Sequence, residues 1–261
     1  MLKTETGIAL RQFFDELIIA PQPVLVLDYD GVVGPYGIFA SKKFAPKSVL
    51  GLLDVIMTSC RTRVAVVTDR DASRLLEVFR TGARPEIWGS SGFEKILPDG
   101  RHRVLPLDDA SQQELSAIST WIESNGFKEL TDLRAGRLEI TFRDMPEDAG
   151  KSARACALEA VAHFGRSSEI VIYETGEAIE IRIRRNNVPQ LLHAAVGELV
   201  ANSPLVYLGP DTCDPANFRA VKESGLAVLV SPSFGDTDAD VWLCPPDEFV
   251  RFLEDWIIAR G

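Results

Sequence analysis

Cysteine, histidine and long apolar segments are scarce in this chain of 261 residues. Its 4 cysteines include no C-x-x-C pair, and its 3 histidines do not have the spacing of zinc ligands. We therefore expect reduced thiols and no zinc site, as in a cytoplasmic protein. The N-terminal region has no apolar stretch typical of a signal peptide, and no apolar run approaches the roughly 20 residues that span a membrane.

Positive charge is also limited, because 28 lysines and arginines face 38 aspartates and glutamates, which gives a net charge of −10. An acidic surface disfavours nonspecific contact with nucleic acid and with anionic lipid, so we expect neither a nucleic-acid nor a membrane partner. It does not exclude an anionic small molecule, since local charges or a bound cation set the affinity of a single site.

Strands and helices alternate in the first and last parts of the sequence. Four apolar runs predict strands buried on both faces, at 24–27, 64–67, 205–208 and 227–230. Helical patterns separate these runs, as at 46–59. The alternation predicts an α/β fold with a doubly wound, Rossmann-like parallel sheet, whose functional site lies at the carboxyl ends of the strands.

The middle of the sequence has a different pattern. Two helices, one alternating strand and a hairpin indicate a small α+β layer that is separate from the parallel sheet. We place this inserted cap domain at 108–186, and the core domain at 1–107 and 187–261. We expect the cap to be mobile and to close over the site.

Two carboxylates end the first predicted strand, in the order Asp28-Tyr29-Asp30-Gly31. Such a pair can divide the work of phosphoryl transfer, because one carboxylate attacks phosphorus while the other protonates the leaving oxygen and later activates water. A divalent cation would offset the repulsion between the anions. Taken alone, the D-x-D pattern fits a turn or a helix cap better than a catalytic site.

Two further strand ends carry polar residues in the order that this chemistry needs. Thr68 follows the second strand, where its hydroxyl can bind a phosphoryl oxygen or cap a helix. Asp211 and Asp214 form an acidic cluster after the strand at 205–208. Asp214 fits equally well as the N-cap of the helix that Pro215 begins.

Six segments, in order along the chain, carry a resemblance to a known family. Leu25–Gly31 (L-V-L-D-Y-D-G) and Val66–Arg70 (V-V-T-D-R) resemble the first two signatures of the haloacid dehalogenase superfamily of phosphatases. The others resemble segments of its trehalose-6-phosphate phosphatases: Gly89–Glu94 with the hairpin that follows, Ile140–Pro146, Ile179–Arg182 and Gly209–Phe218.

The resemblance implies a phosphomonoesterase that hydrolyses a sugar phosphate, trehalose 6-phosphate or a similar compound, through an aspartyl-phosphate. It implies that Asp28 is the nucleophile, that Asp30 is the general acid and base, and that Thr68 holds the phosphoryl oxygens. It also implies a substrate-binding set and a set of Mg2+ ligands. These are Arg70, Arg143, Glu180 and Arg182 for the substrate, and Asp28, Asp30, Asp211 and Asp214 for the metal. We expect a monomer whose partner is a phosphorylated sugar. The alternative role for Arg143, Glu180 and Arg182 is to form a salt-bridged strand face.

Two departures from the family pattern fall on catalytic positions. The stretch 184–190 has no lysine, although the family places there the lysine that neutralises the nucleophile, and Arg184 or Arg185 is the available substitute. Pro210 stands where the family has an aspartate that binds magnesium. The alternative hypothesis is therefore a catalytically impaired, phosphatase-like domain that binds a sugar phosphate or a protein partner.

Overall fold

The chain folds into two compact units. The computed structural model describes residues 2–34, 46–79, 82–134, 136–142, 145–164, 170–174, 178–183, 187–222 and 224–261. One unit, here called the core unit, consists of Met1–Arg103 and Asn186–Gly261. The other, here called the insert, consists of Val104–Arg185. The sequence placed an inserted cap domain at 108–186; its predicted role as a cap stays a prediction.

An eight-stranded sheet forms the centre of the core unit. Its strands are β1 (Val24–Asp28), β2 (Arg63–Val67), β3 (Glu86–Gly89), β4 (Glu94–Ile96), β5 (His102–Val104), β10 (Leu205–Gly209), β11 (Leu226–Val230) and β12 (Val241–Leu243). They lie in the order β12-β11-β10-β1-β2-β3-β4-β5. Neighbours from β12 to β3 are parallel, and β4 is antiparallel to β3.

The central strands are buried because both faces of the sheet are covered. β1, β10 and β11 are apolar almost throughout, as expected of parallel strands between two layers of helices. Leu25 and Leu27 belong to a cluster that also contains Phe13, Leu53 and Trp256 from surrounding helices. The predicted α/β fold class with a parallel sheet is confirmed.

The helices of the core unit precede, separate and follow its strands. They are α1 (Leu2–Ile19), α2 (Pro46–Ser59), α3 (Ala72–Leu76), α6 (Val188–Gly197), α7 (Pro215–Arg219) and α8 (Asp247–Arg260). α8 packs against α1 and α2, and α6 packs against α7. No helix in the described part of the chain is long and apolar enough to cross a bilayer.

The insert has its own antiparallel sheet and two long helices. Its elements are α4 (Asp109–Ser124), β6 (Thr131–Arg134), β7 (Arg137–Thr141), α5 (Glu147–Phe164), β8 (Ile170–Glu174) and β9 (Ala178–Ile183). The strands lie in the order β6-β7-β9-β8. Ile179, Ile181 and Ile183 alternate with partly exposed residues along β9, so one face of this sheet is apolar.

Glu86 anchors β3 to its neighbours on both sides. Its carboxylate is ion-paired with Arg63 of β2 at 2.7 Å and with Lys95 of β4 at 2.9 Å, and it accepts a hydrogen bond from the Trp88 indole at 3.1 Å. Burial opposes ionisation of Glu86, but the hydrogen bonds from Arg63 and Lys95 outweigh it and lower its pKa. The ionised group therefore holds three strands together.

We predict that Glu86→Gln destabilises the core unit by about 2 kcal/mol, because two cations lose their buried partner. Urea unfolding at pH 7 measures the change. The folded-state pKa is lowered, so the stabilisation is present above the unfolded pKa of about 4.3 and is lost as pH falls through the folded value. The difference from wild type should therefore shrink in acid.

The control is Glu198→Gln, since Glu198 is an exposed partner of the same Arg63. Its effect should stay within about 0.5 kcal/mol. Equal losses in the two variants would contradict the structural role assigned to Glu86.

Candidate active site

Asp28 is the last residue of β1, where the chain leaves the sheet in a π-helical turn over Tyr29–Val33. Its carboxylate accepts a hydrogen bond from the Gly31 amide at 3.0 Å and caps this turn. The turn bends the chain between Asp28 and Asp30, so the two carboxylates make different contacts. The end of β1 therefore carries two carboxylates in two different environments.

Burial raises the pKa of Asp28 to about 7. The hydrogen bond from Gly31 lowers the pKa, whereas the negative charges of Asp69 and Asp30 raise it further. A cation or a hydrogen-bond donor close to Asp28 would favour the carboxylate form. Near neutral pH the group therefore exchanges readily between its acid and its nucleophilic form.

Asp30 connects the turn after β1 to the turn after β2. Its Oδ2 accepts hydrogen bonds from the Thr68 hydroxyl at 2.5 Å and from the Asp69 amide at 3.0 Å. Its Oδ1 lies 3.2 Å from the Arg70 Nε in an ion pair. The structure thus brings together four of the predicted site residues: Asp28, Asp30, Thr68 and Arg70.

The loop after β2 adds a carboxylate that the sequence did not assign to the site. Asp69 raises the pKa of Asp28 and accepts a hydrogen bond from the Ser91 hydroxyl at 2.9 Å. Ser90 and Ser91 have positive φ values of 50° and 53°, a costly conformation for residues other than glycine. The sequence signal for Asp69 is its position directly after Thr68 at the end of β2.

Pro210 lies against Gly31 at the strand end next to Asp28. A Cβ atom placed on Gly31 would lie 2.2 Å from Pro210 Cγ and 2.9 Å from Pro210 Cβ. The proline ring therefore occupies the space beside the turn that holds the Asp28 carboxylate. Gly31 is required by this close approach, not by a left-handed backbone.

The two carboxylates that follow Pro210 have partners of their own. Asp211 Oδ2 accepts a hydrogen bond from the Ser231 hydroxyl at 3.2 Å. Asp214 caps α7, since its Oδ1 accepts from the Ala216 amide at 2.8 Å. The metal role predicted for Asp211 and Asp214, with Asp28 and Asp30, stays a prediction, and these hydrogen bonds compete with it.

The residues at this edge do not fit a magnesium site. Within the described ranges no group of three or more His, Cys, Asp or Glu side chains could hold a metal ion. Pro210 offers no donor atom in its side chain, although magnesium in proteins is bound through oxygen.

A buried polar cluster lies behind the strand end. Asn217 Nδ2 donates to the Tyr207 hydroxyl at 3.0 Å, and that hydroxyl is also hydrogen-bonded to the Cys213 thiol. Burial, together with the charge of Asp28, raises the pKa of Cys213 to about 12 and that of Tyr207 well above its ordinary value. The thiol therefore stays protonated. No sequence pattern pointed to this cluster, because Tyr207 lies within an apolar run that predicts a buried strand.

The remaining predicted residues belong to the insert. Glu180, on β9, accepts a hydrogen bond from Arg182 and is ion-paired with buried Arg137 at 3.0 Å. Arg182 also lies over the Tyr173 ring, at 5.0 Å from its centroid. These contacts form a salt-bridged strand face. Arg143 lies outside the described residues, as do Arg184 and Arg185.

Comparison with known proteins gives structural relatives only. No protein-family model matches the sequence, and neither does any curated protein. Among solved structures, an Aspergillus fumigatus trehalose-6-phosphate phosphatase aligns over 96% of this chain and 97% of its own, at 19% identity and a TM-score of 0.61. The C-terminal domain of a Candida albicans trehalose synthase regulatory protein aligns over 94% and 97%, at 14% identity and a TM-score of 0.58.

A haloacid dehalogenase-like hydrolase from B. subtilis aligns over 88% of this chain and 98% of its own, at 12% identity and a TM-score of 0.52. The chain has the fold of the haloacid dehalogenase-like phosphatases. At such low identities the likeness concerns the fold, and it includes both phosphatases and a protein described as regulatory. The resemblance inferred from the sequence motifs is confirmed at this level.

We predict that Asp28→Asn stabilises the protein at pH 8 by roughly 4 kcal/mol. Folded Asp28 keeps its proton up to about pH 7, whereas the unfolded chain loses it near pH 4. The wild type therefore loses stability as pH rises between these values. Urea unfolding at pH 4 and pH 8, with a chelator present, measures the difference between the two proteins.

At pH 4 the gain in stability of Asp28→Asn over wild type should be small. The exposed control Asp236→Asn should show no such dependence. A gain of the same size at both pH values would contradict the raised pKa of Asp28.

We predict that Gly31→Ala destabilises the core unit by about 1–3 kcal/mol, because the new methyl group overlaps the Pro210 ring. Replacing Pro210 with alanine in the same chain should recover most of the loss. Gly51→Ala in α2 is the matched control, since nothing lies within 4 Å of its Cβ position; it should raise stability by up to about 1 kcal/mol. Urea unfolding of all four proteins tests the contact, and a tolerated Gly31→Ala would rule it out.

Proposed function

We propose that the chain is a phosphomonoesterase that acts on a phosphorylated sugar at the Asp28 strand end. The observation that carries this proposal is the paired arrangement of Asp28 and Asp30. Asp28 is a half-buried carboxylate at the centre of the sheet edge, and Asp30 is held beside it by Thr68, by the Asp69 amide and by Arg70. Two carboxylates in different environments suit a nucleophile and a general acid.

The reaction would proceed in two displacements. In the first, a carboxylate oxygen of Asp28 attacks phosphorus, the bond from phosphorus to the sugar oxygen breaks, and Asp30 gives its proton to that oxygen. In the second, water attacks the phosphorus of the aspartyl-phosphate, its proton returns to Asp30, and inorganic phosphate leaves with the Asp28 carboxylate restored. Arg70 and the Thr68 hydroxyl are the nearby groups that would bind the phosphoryl oxygens.

Trehalose 6-phosphate is the first substrate to test. The sequence motifs resemble those of trehalose-6-phosphate phosphatases, and the fold agrees with that family. Contact of the sugar with Arg143, Glu180 and Arg182 remains part of the proposal, although the last two residues are ion-paired within the insert. The magnesium requirement of the family is not carried over, because the residues after β10 do not fit the ion.

A second candidate is a domain that binds a sugar phosphate or a protein partner without turnover. The contact between Pro210 and Gly31 favours it, since a proline replaces a charged group at the strand end next to the nucleophile. The loss of an electrostatic stabiliser at a phosphoryl site typically raises the barrier by several kcal/mol. The likeness to a regulatory protein's domain agrees with this candidate as well.

We predict that wild-type protein releases phosphate from trehalose 6-phosphate or another phosphosugar, and that Asp28→Asn abolishes the release because the nucleophile is lost. A colorimetric phosphate assay over a panel of phosphosugars is the measurement. Asp236→Asn, an exposed carboxylate change, should retain full activity.

Activity of Asp28→Asn within a few-fold of wild type would exclude the aspartyl-phosphate route. Binding of a phosphosugar by wild type with no release would instead select the second candidate. Calorimetry with the same phosphosugars distinguishes these results.

A further inference from the structure

The side chain of Pro210 lies against the turn that follows Asp28. β1 and β10 are parallel neighbours with Leu27 opposite Leu208, so both strands end at the same level of the sheet. Pro210 follows β10 directly, and its ring lies against Gly31, whose amide holds the Asp28 carboxylate. The proline thus fills space beside Asp28 with carbon atoms, and none of them can bind a cation.

The neighbouring carboxylates are committed to other contacts. Asp211 accepts a hydrogen bond from Ser231, which is fully buried. Asp214 accepts one from the first turn of α7. Turning either side chain towards Asp28 would cost about 1 kcal/mol or more for the lost hydrogen bond.

The side chain of Asp30 already has partners within the protein, although among the described residues its Oδ1 has an ion pair and no hydrogen bond. Its two oxygens contact the Thr68 hydroxyl, the Asp69 amide and the Arg70 guanidinium. Arg70 therefore already supplies a positive charge to the Asp30 side of the site. Magnesium bound through Asp28 alone would have to take the rest of its octahedral shell from water or from phosphate oxygens, so the protein by itself offers only a weak site.

We propose that this strand end does not bind a divalent cation, that Pro210 is the residue that excludes it, and that phosphoryl ligands bind here independently of magnesium. The last part rests on the proposed function, whereas the first two parts concern the metal alone. Pro210→Asp should create a cation site, because it adds a carboxylate at the strand end adjacent to Asp28.

The test is calorimetric titration with magnesium chloride of wild type, Pro210→Asp, Pro210→Asn and the double variant Pro210→Asp/Asp28→Asn. Wild type should show no binding up to about 10 mM, and Pro210→Asp should bind with a Kd of the order of 1 mM or tighter. The asparagine variant has the shape of the aspartate without its charge and should bind at least about ten-fold more weakly. The double variant should lose the gain.

Magnesium binding by wild type that disappears in Asp28→Asn would overturn the proposal. A Pro210→Asp variant with unchanged circular dichroism and no gain in binding would overturn the role of Pro210. If that variant does not fold, the magnesium titrations of wild type and of Pro210→Ala decide. Magnesium binding by wild type refutes the exclusion, and a gain of binding on removal of the proline ring supports it.

A second arm separates this inference from the proposed function. Binding of inorganic phosphate and of trehalose 6-phosphate to wild type is measured with magnesium and with a chelator. Equal affinities in the two buffers support the inference, and a chelator-sensitive affinity refutes it. If neither ligand binds in either buffer, the proposed function fails, and so does the magnesium-independent binding of phosphoryl ligands. The magnesium titration still tests the absence of cation binding and the role of Pro210.

Discussion

The carboxylate of Asp30 links the two turns on which the site depends. It accepts hydrogen bonds from the Thr68 hydroxyl and the Asp69 amide, so the turn after β1 is fastened to the turn after β2. Arg70 is drawn to the same carboxylate by its charge. Because these groups come from loops, the parallel sheet alone would leave them free to diverge. These contacts hold the Asp30 carboxylate on one side of Asp28, and β10 lies on the other side.

On the side of β10 the constraint is steric. Gly31 and Pro210 approach so closely that neither can change alone without a shift of the backbone or the ring. The site is therefore held by hydrogen bonds and charge on one side of Asp28 and by apolar packing on the other. The raised pKa of Asp28 follows from this arrangement, since the group is buried and both nearby carboxylates disfavour its ionised form.

The sequence predicted the elements whose patterns are long or strongly apolar. The helix at Pro46–Ser59 and the strand ends bearing Asp28 and Thr68 follow from periodicity and from abrupt changes of polarity. It missed β6, which is polar and exposed at the sheet edge, and β12, which has only three residues. The contacts of Asp211 and Pro210 were beyond prediction, because loop conformation after a strand is set by tertiary packing and not by periodicity.

The pairing of β1 with β10 also bears on the order of folding. Gln22, just before β1, is hydrogen-bonded to Ser203, just before β10, and the two residues are 181 positions apart in sequence. Non-local parallel pairings of this kind form late, because loop closure must precede them. During synthesis β1 is made long before β10, so this edge of β1 stays unpaired while the insert is already complete. Its exposed hydrogen-bonding edge could meanwhile pair with another chain, which makes early intermediates of this protein prone to aggregation.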